Sequence, residues 1–375
     1  MMKQIHSLIA IVFITFAACA QQTESEVKAE TPSNLNYTTE IVVPDLNIPW
    51  GMAFLPDNSM LITEKSGELI HFKDGNKIMI EGTPEIYARG QGGLLDIELH
   101  PNYQDNGWIY LSHASKEGDE EGGNTAITRA KLVENTLVEK QLLYKAGPNT
   151  KKGQHWGARI EFDDAGYLYF SIGDRGNRDV NPQDITKDCG KIYRLNDDGS
   201  VPSDNPFVNT SDAKKAIFSY GHRNPQGMAK NPFTGAIWVN EHGPKGGDEI
   251  NIIEKGKNFG WPIISYGINY SGTPFTDITE KEGMEQPIFY WVPSIAPSGM
   301  AFVNSEMYPE WKGNILVGSL KFKYLERLVL EDNKVIKREK LFEDIGRVRN
   351  VIQAPDGYIY VAVEGKGIVK IVPKN

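Results

Sequence analysis

Short apolar stretches separated by polar turns run the whole length of the chain, and one version of this pattern recurs six times. Each copy is a turn built on Gly, Asn or Asp followed by an apolar run suited to a pleated surface. Pro56-Asp57-Asn58 leads into Met60-Leu61-Ile62-Thr63, and Asp105-Asn106-Gly107 into Trp108-Ile109-Tyr110-Leu111. Asp164-Ala165-Gly166 leads into Tyr167-Leu168-Tyr169-Phe170, and Phe233-Thr234-Gly235 into Ala236-Ile237-Trp238-Val239. Trp311-Lys312-Gly313 leads into Asn314-Ile315-Leu316-Val317, and Pro355-Asp356-Gly357 into Tyr358-Ile359-Tyr360-Val361. The copies stand roughly 45 to 80 residues apart, about one four-stranded unit plus a variable insertion. Downstream runs at Glu68–Phe72, Glu249–Ile253, Leu325–Leu330 and Gly367–Val372 read as partner strands. Six copies predict an all-β, six-bladed β-propeller. The alternating segment Tyr37–Val43 precedes the first copy and would close the ring by pairing with the last blade. A β-sandwich or a pair of all-β domains is the competing architecture.

Composition narrows this picture without changing it. The 375 residues are 40% hydrophobic, enough for a large core, and 37 Gly with 21 Pro favour strands and turns over long helices. The formal net charge of −9, with no basic block, makes nucleic acid a poor partner.

The N-terminus reads as a targeting segment. Lys3 precedes an apolar run from Ser7 to Ala18 that is too short to span a bilayer. It ends in Phe16-Ala17-Ala18-Cys19, which resembles a bacterial lipobox. The expectation is a signal peptide over 1–18, acylation of Cys19, a flexible tether over 19–36 and a catalytic propeller over 37–375. Exported protein held to the cell envelope or periplasmic face by a lipid would follow; ordinary secretion with cleavage nearby is the alternative. Gln21-Gln22 after Cys19 lacks the aspartate associated with inner-membrane retention. The other cysteine, Cys189, then has no partner within the chain.

Four segments carry candidate chemistry, and each has a plainer reading. His155, in Gly153-Gln154-His155-Trp156-Gly157, sits on a loop before a strand and suits a general base, but a loop histidine is more often structural. Arg223-Asn224 offers a donor fork and an amide, or simply a salt bridge. The segment Asn240-Glu241-His242-Gly243-Pro244-Lys245-Gly246-Gly247-Asp248-Glu249 presents carbonyls beside carboxylates, a donor set for Ca²⁺, or an ordinary glycine-rich turn. Lys321, Arg347 and Arg349 add cations that would form an anion receptor only if they converge.

Taken together these motifs resemble the soluble pyrroloquinoline quinone (PQQ)-dependent sugar dehydrogenases, the glucose and aldose sugar dehydrogenase family. The likeness runs from about Leu46 to Val372 and rests on eleven strings in order. They are GQGGLLDIELHP, HWGARIEF, YFSIGDRG, KIYRLNDDGSVPSDNPF, YGHRNPQGMA, EHGPKGGDEIN, GKNFGWP, GINYSG, PSIAPSG, SLKFKYLERL and GRVRNVIQAPDGYIYV. The resemblance implies that His155 takes the proton from the sugar C1 hydroxyl, with Asp174 in support. It implies that Gln91, Arg223, Asn224 and Ser294 meet the cofactor, Arg223 also polarising it, and that Lys321, Arg347 and Arg349 bind its carboxylates. Tyr270 becomes a pocket residue. Ca²⁺ is implied at the carbonyls of Gly243 and Pro244, at Glu249 with the carbonyl of Phe259, or at both.

Two departures stand out. Gln154 precedes His155 where the glucose dehydrogenases carry an aspartate, and Phe259 stands where relatives have tyrosine. The likeness is stronger to the aldose branch, which implies relaxed sugar specificity. A non-catalytic propeller binding a carbohydrate or partner protein is the second reading, although a binder needs no base. A calcium-dependent lactonase is the third, and it would need more carboxylates around one metal than the sequence offers. No C-x-x-C-H haem attachment occurs, so electrons would leave to a separate, unidentified acceptor.

Overall fold

A computed structural model describes residues 27–374. It is a ring of six antiparallel sheets, each read from its innermost strand outward. Blade 1 is Pro49–Phe54, Met60–Glu64, Leu69–Lys73 and Asn76–Ile80. Blade 2 is Leu94–Leu99, Trp108–Ser115, Asn124–Val133 and Thr136–Lys145. Blade 3 is Ile160–Phe162, Leu168–Ile172, Lys191–Leu195 and Ile217–Tyr220. Blade 4 is Pro225–Lys230, Ile237–Glu241, Asp248–Ile252 and Phe289–Trp291. Blade 5 is Pro297–Phe302, Ile315–Ser319, Leu325–Glu331 and Lys334–Leu341. Blade 6 takes Val348–Gln353, Ile359–Val363 and Gly367–Pro373 from the C-terminus and its outermost strand, Tyr37–Pro44, from the N-terminus. Thr39 pairs with Ile371 and Ile41 with Val369, the ring closure anticipated from the alternation. All six turn-plus-strand copies are the second strand of a blade.

The six innermost strands pack successively around the axis. Three of them share a sequence that the turn pattern did not expose: Pro49-Trp50-Gly51-Met52-Ala53, Pro225-Gln226-Gly227-Met228-Ala229 and Pro297-Ser298-Gly299-Met300-Ala301. A Cβ on Gly51 would lie 2.8 Å from the backbone N of Ile97, and one on Gly227 would lie 2.3 Å from the carbonyl of Ser298. Only glycine lets neighbouring inner strands approach so closely.

Six apolar clusters fill the gaps between adjacent blades. Tyr110, Ile127, Phe170 and Tyr193 join blades 2 and 3, with Phe170 stacked on Tyr193 at 4.9 Å. Trp238, Trp291, Phe302 and Val317 join blades 4 and 5. Each fully buried Leu, Ile, Val or Phe contributes about 1.5–3 kcal/mol, so the ring is held by its inter-blade faces. A seventh cluster of Trp50, Leu95, Ala114, Trp156 and Ala158 lies under one face of the ring.

Arg159 plugs the axis. It pairs with Asp96 at 2.8 Å, donates to the carbonyls of Gln226 and Arg349, and lies over Trp50, so blades 1, 2, 3, 4 and 6 meet at one guanidinium. A cavity of about 810 Å³ opens on one side of this plug. None of the candidate site residues named from the sequence lines it.

The segment before Tyr37 differs from a free tether over its described part. Ala29–Glu30 pairs in parallel with Arg338 and Glu339 on the outer edge of blade 5, and Arg338 donates to the carbonyl of Val27. The edge strand offered unpaired backbone groups, and the adjacent chain satisfies them. The expected signal peptide and Cys19 lie outside the described residues.

Candidate active site

The remaining face collects what the sequence scattered. Gln91, His155, Asn224, Ser294 and Arg347 each fall within a few residues before an innermost strand, and Arg349 lies at the start of one. Asp174, Gly243, Pro244 and Lys321 fall in turns between second and third strands, which open on the same face, and Glu249 is near the start of such a third strand.

His155 is held from four directions. Its backbone has a positive φ of 55°, uncommon for a residue with a side chain. Its N–H donates to Gln91 Oε1 at 2.7 Å, and its ring Nδ1 donates to Asp174 Oδ1 at 2.6 Å. Asp174 Oδ1 also accepts from Gly176 N at 2.7 Å, and its Oδ2 accepts from Trp261 Nε1 at 2.9 Å. Arg175 clamps the preceding loop, donating to the carbonyls of Gln154 and Lys152 while its guanidinium lies 3.4 Å above the Trp156 ring. A carboxylate only accepts hydrogen bonds, so Nδ1 carries the proton and Nε2 keeps its lone pair. Burial pushes the imidazole pKa below its ordinary value, the Asp174 bond opposes this, and the Arg223 charge adds to the fall. Burial alone would raise Asp174, but the His155 bond and the positive charge of Arg223 outweigh it and hold the carboxyl down.

Arg223 joins this dyad to the blade 4 loop. Its carbonyl accepts the Asp174 N–H at 2.7 Å, and its Nη1 donates to the carbonyls of His242 and Gly243 at 2.9 and 3.0 Å. Its own N–H is anchored on Glu241 Oε2 at 2.6 Å. Asn224 Oδ1 accepts from Gly157 N at 3.2 Å, fixing the other side of the histidine loop.

Next to these groups is a hollow of about 230 Å³ whose lining includes Gln91, Trp156, Gly157, Gln226, Arg347 and Arg349. Both arginines reach Glu364: Arg347 Nε lies 2.7 Å from Oε2, and Arg349 Nε 3.1 Å from Oε1. Lys321 and Ser294 lie along one continuous edge of the face. Lys321 N–H donates to Ile295 O, Leu320 O accepts from Arg347, and Ser294 Oγ accepts from Ala296 N. The Lys321 amine is exposed on the rim, over the Phe322 ring at 4.8 Å. Tyr270 is not brought to the hollow. It is 73% exposed on a loop whose Asn269 is tied to Arg178, and it lines neither this hollow nor the axial cavity.

The two Ca²⁺ donor sets differ in readiness. Gly243 O already faces a positive charge, the Arg223 guanidinium, so a cation there shares or displaces that contact. Asp248, one of the three acids of this segment, is turned inward as a staple: it accepts from the N–H groups of Gly243, Ile295 and Ala296. Glu249, Glu241, Phe259 and Gly243 line a second, small cavity. Burial, together with the nearby Glu241 charge, raises the Glu249 carboxyl to about 8, and Asn251 Oδ1 beside both acids is buried without a hydrogen-bond partner. Oxygen donors short of positive charge fit a hard divalent cation. The arginine-lined hollow likewise fits a planar anion.

Several contributors were given no role by the sequence reading: Glu364, Trp261, Arg175 and Lys65. One signal was available. Lys65, Lys321 and Glu364 all follow the second strand of a blade, the turn that feeds this face.

A family profile described as glucose/sorbosone dehydrogenase matches residues 46–370. The aldose sugar dehydrogenase YliI of Escherichia coli is 42% identical over 92% of this chain and 94% of its own. The crystal structure of the soluble aldose sugar dehydrogenase from Escherichia coli, in its apo-form, superposes with a TM-score of 0.87 over 90% of this chain and 100% of that one, at 41% identity. Quinoprotein glucose dehydrogenase B of Acinetobacter calcoaceticus is 28% identical over 99% of this chain and 94% of its own.

Proposed function

Since the chain belongs to the glucose/sorbosone dehydrogenase family and is a sugar dehydrogenase, we propose that it oxidises aldoses at C1 to the lactone with PQQ and Ca²⁺. The observation that carries this reading is the His155–Asp174 pair standing beside a hollow lined by Arg347 and Arg349. When bound, the quinone accepts hydride from the sugar, with Ca²⁺ drawing charge from its carbonyl.

The protein's share is orientation and proton transfer. His155 Nε2 takes the C1 hydroxyl proton, and the resulting imidazolium is stabilised by Asp174, which keeps its own charge. Gln91 and Arg175 hold the histidine loop in its left-handed conformation. Arg347, Arg349 and Lys321 would hold the cofactor's carboxylates, and Gln91, Asn224 and Ser294 its polar edges. Arg223 would supply a donor fork to the quinone carbonyl. Glu249 with the Phe259 carbonyl, and the Gly243 and Pro244 carbonyls, would hold Ca²⁺.

The stronger likeness to the aldose branch favours varied aldoses over one sugar. A purely binding propeller has no use for an acid–base pair with one nitrogen left unbonded. Export, acylation of Cys19 and an electron carrier separate from this chain belong to the same proposal. Palmitate labelling that disappears in Cys19→Ser tests the anchor. Reconstituting purified apoprotein with PQQ and Ca²⁺ and following dye reduction with several aldoses tests the activity. Reduction that requires PQQ is the expected result; reduction without it, or none with it, overturns the proposal.

A further inference from the structure

Resting on the PQQ reading above, we infer that Lys65 is a further cofactor-binding cation, contributed by blade 1 and directed at one carboxylate of the quinone. Of the cations that line the hollow, Arg347 and Arg349 are both tied to Glu364, whereas Lys65 forms no ion pair among the described residues. Among the described residues the Lys65 ammonium makes one hydrogen bond, of 3.0 Å, to the carbonyl of Gly90, the neighbour of Gln91. An ammonium can donate three hydrogen bonds, so Lys65, which lines the hollow, keeps donors for a ligand there.

Its backbone is fixed on both sides. The N–H donates to Ile48 O at 3.1 Å, and the carbonyl accepts from Leu94 N at 3.2 Å, pinning the turn between the inner strands of blades 1 and 2. A Cβ on Gly93 would lie 1.9 Å from the Lys65 carbonyl, so that strand start packs directly against it. The adjacent Glu64 is occupied with the backbone N–H groups of Asn47 and Ile48, both at 2.8 Å, and does not neutralise it.

Charge balance points the same way. Apart from Arg223 and Ca²⁺ at the redox-active end, Glu364 cancels one of the three positive charges that Lys321, Arg347 and Arg349 bring for the carboxylates, leaving two for three. Lys65 restores the third. The turn it occupies in blade 1 is the counterpart of the Lys321 turn in blade 5, so the two blades flanking blade 6 each present an ammonium group.

The test is PQQ binding rather than turnover. Trp50 and Trp156 line the hollow and serve as fluorescence probes for a PQQ titration in the presence of Ca²⁺. Lys65→Gln should weaken PQQ binding at least about tenfold, Lys65→Glu further, and Lys65→Arg should stay within about threefold of wild type. Wild-type affinity should fall more steeply with added KCl than that of Lys65→Gln, because one ion pair fewer is screened. Thermal midpoints of the apoproteins, measured alongside, should agree for wild type and Lys65→Gln. If Lys65→Gln is less stable, the comparison of Lys65→Arg with Lys65→Glu at matched stability decides. Unchanged binding by Lys65→Gln, or equal weakening by Lys65→Gln and Lys65→Arg, overturns the role of Lys65 alone. A wild type that never takes up PQQ overturns the cofactor reading and this assignment with it.

Discussion

The imidazole Nδ1 of His155 lies 2.6 Å from Oδ1 of Asp174, although the two residues come from different strand connections. Trp261 fixes the other carboxylate oxygen, so the ring cannot rotate without breaking charge-assisted bonds. Replacing Asp174 by Asn leaves the shape but allows the wrong tautomer. Turnover of the reconstituted enzyme should fall by about 10²–10⁴-fold, and His155→Ala should cost at least about a hundredfold while PQQ still binds. Dye-reduction kinetics with a parallel PQQ titration check both; turnover within twofold of wild type in either variant removes the base role.

Burial lowers the His155 pKa below its usual 6.5, and Asp174 acts in the opposite direction. The neutral imidazole is the competent base, so activity should be flat above neutral pH and decline on an acid limb below 6.5. Asp174→Asn removes a raising influence and should carry that limb to lower pH. Stability follows the same sign: the unfolded chain binds this proton more readily, so the contribution grows with pH through the window below 6.5 and is lost in acid. A pH–rate profile whose midpoint is unmoved by Asp174→Asn would contradict the assignment.

Arg175 is buried, stacked on Trp156, and satisfies the carbonyls of Gln154 and Lys152. Arg175→Ala strands those acceptors and loosens the left-handed turn at His155. The expected cost is about 3 kcal/mol of stability and at least about a tenfold drop in kcat, with sugar KM little changed. Urea unfolding and steady-state kinetics on the folded variant measure the two effects separately.

Ca²⁺ should raise the thermal midpoint of the apoprotein, because a cation that binds only the folded state stabilises it by mass action. Glu249→Gln removes one of two facing carboxylates and should abolish most of that rise. An equal Ca²⁺ response in both proteins would locate the ion elsewhere, with the Gly243 and Pro244 carbonyls as the next set to vary.

How much of this was legible from residue order depends on whether the signal is local. The second strands follow strong turn residues and were readable one by one, as Asp164-Ala165-Gly166 before Leu168–Ile172 illustrates. The inner strands were harder. Pro49–Phe54 is buried along nearly its whole length, so it shows no alternation to read. Its repeat is visible only through the glycine that close strand contact demands. Ala29–Glu30 carries no apolar pattern because its docking is backbone pairing. The site residues come from at least five blades, and no spacing rule links Gln91 to Arg349; motif resemblance brought them together before geometry did. Glu364 and Lys65 were missed because a charged turn looks the same whether it faces solvent or a shared hollow. Tyr270 reads as a pocket wall because it is an aromatic in a glycine-rich loop, but that loop leaves it exposed to solvent and away from the hollow.

The strand that seals blade 6 has a consequence for how the protein is made. Tyr37–Pro44 is made before every inner strand of the ring, while its partner Gly367–Pro373 is made after all of them. Throughout elongation the early strand waits without its mate, and Arg347 and Arg349 are still to come. The ring therefore closes only once Gly367–Pro373 has been made, and removing that one strand would leave Tyr37–Pro44 without its mate and blade 6 without its latch.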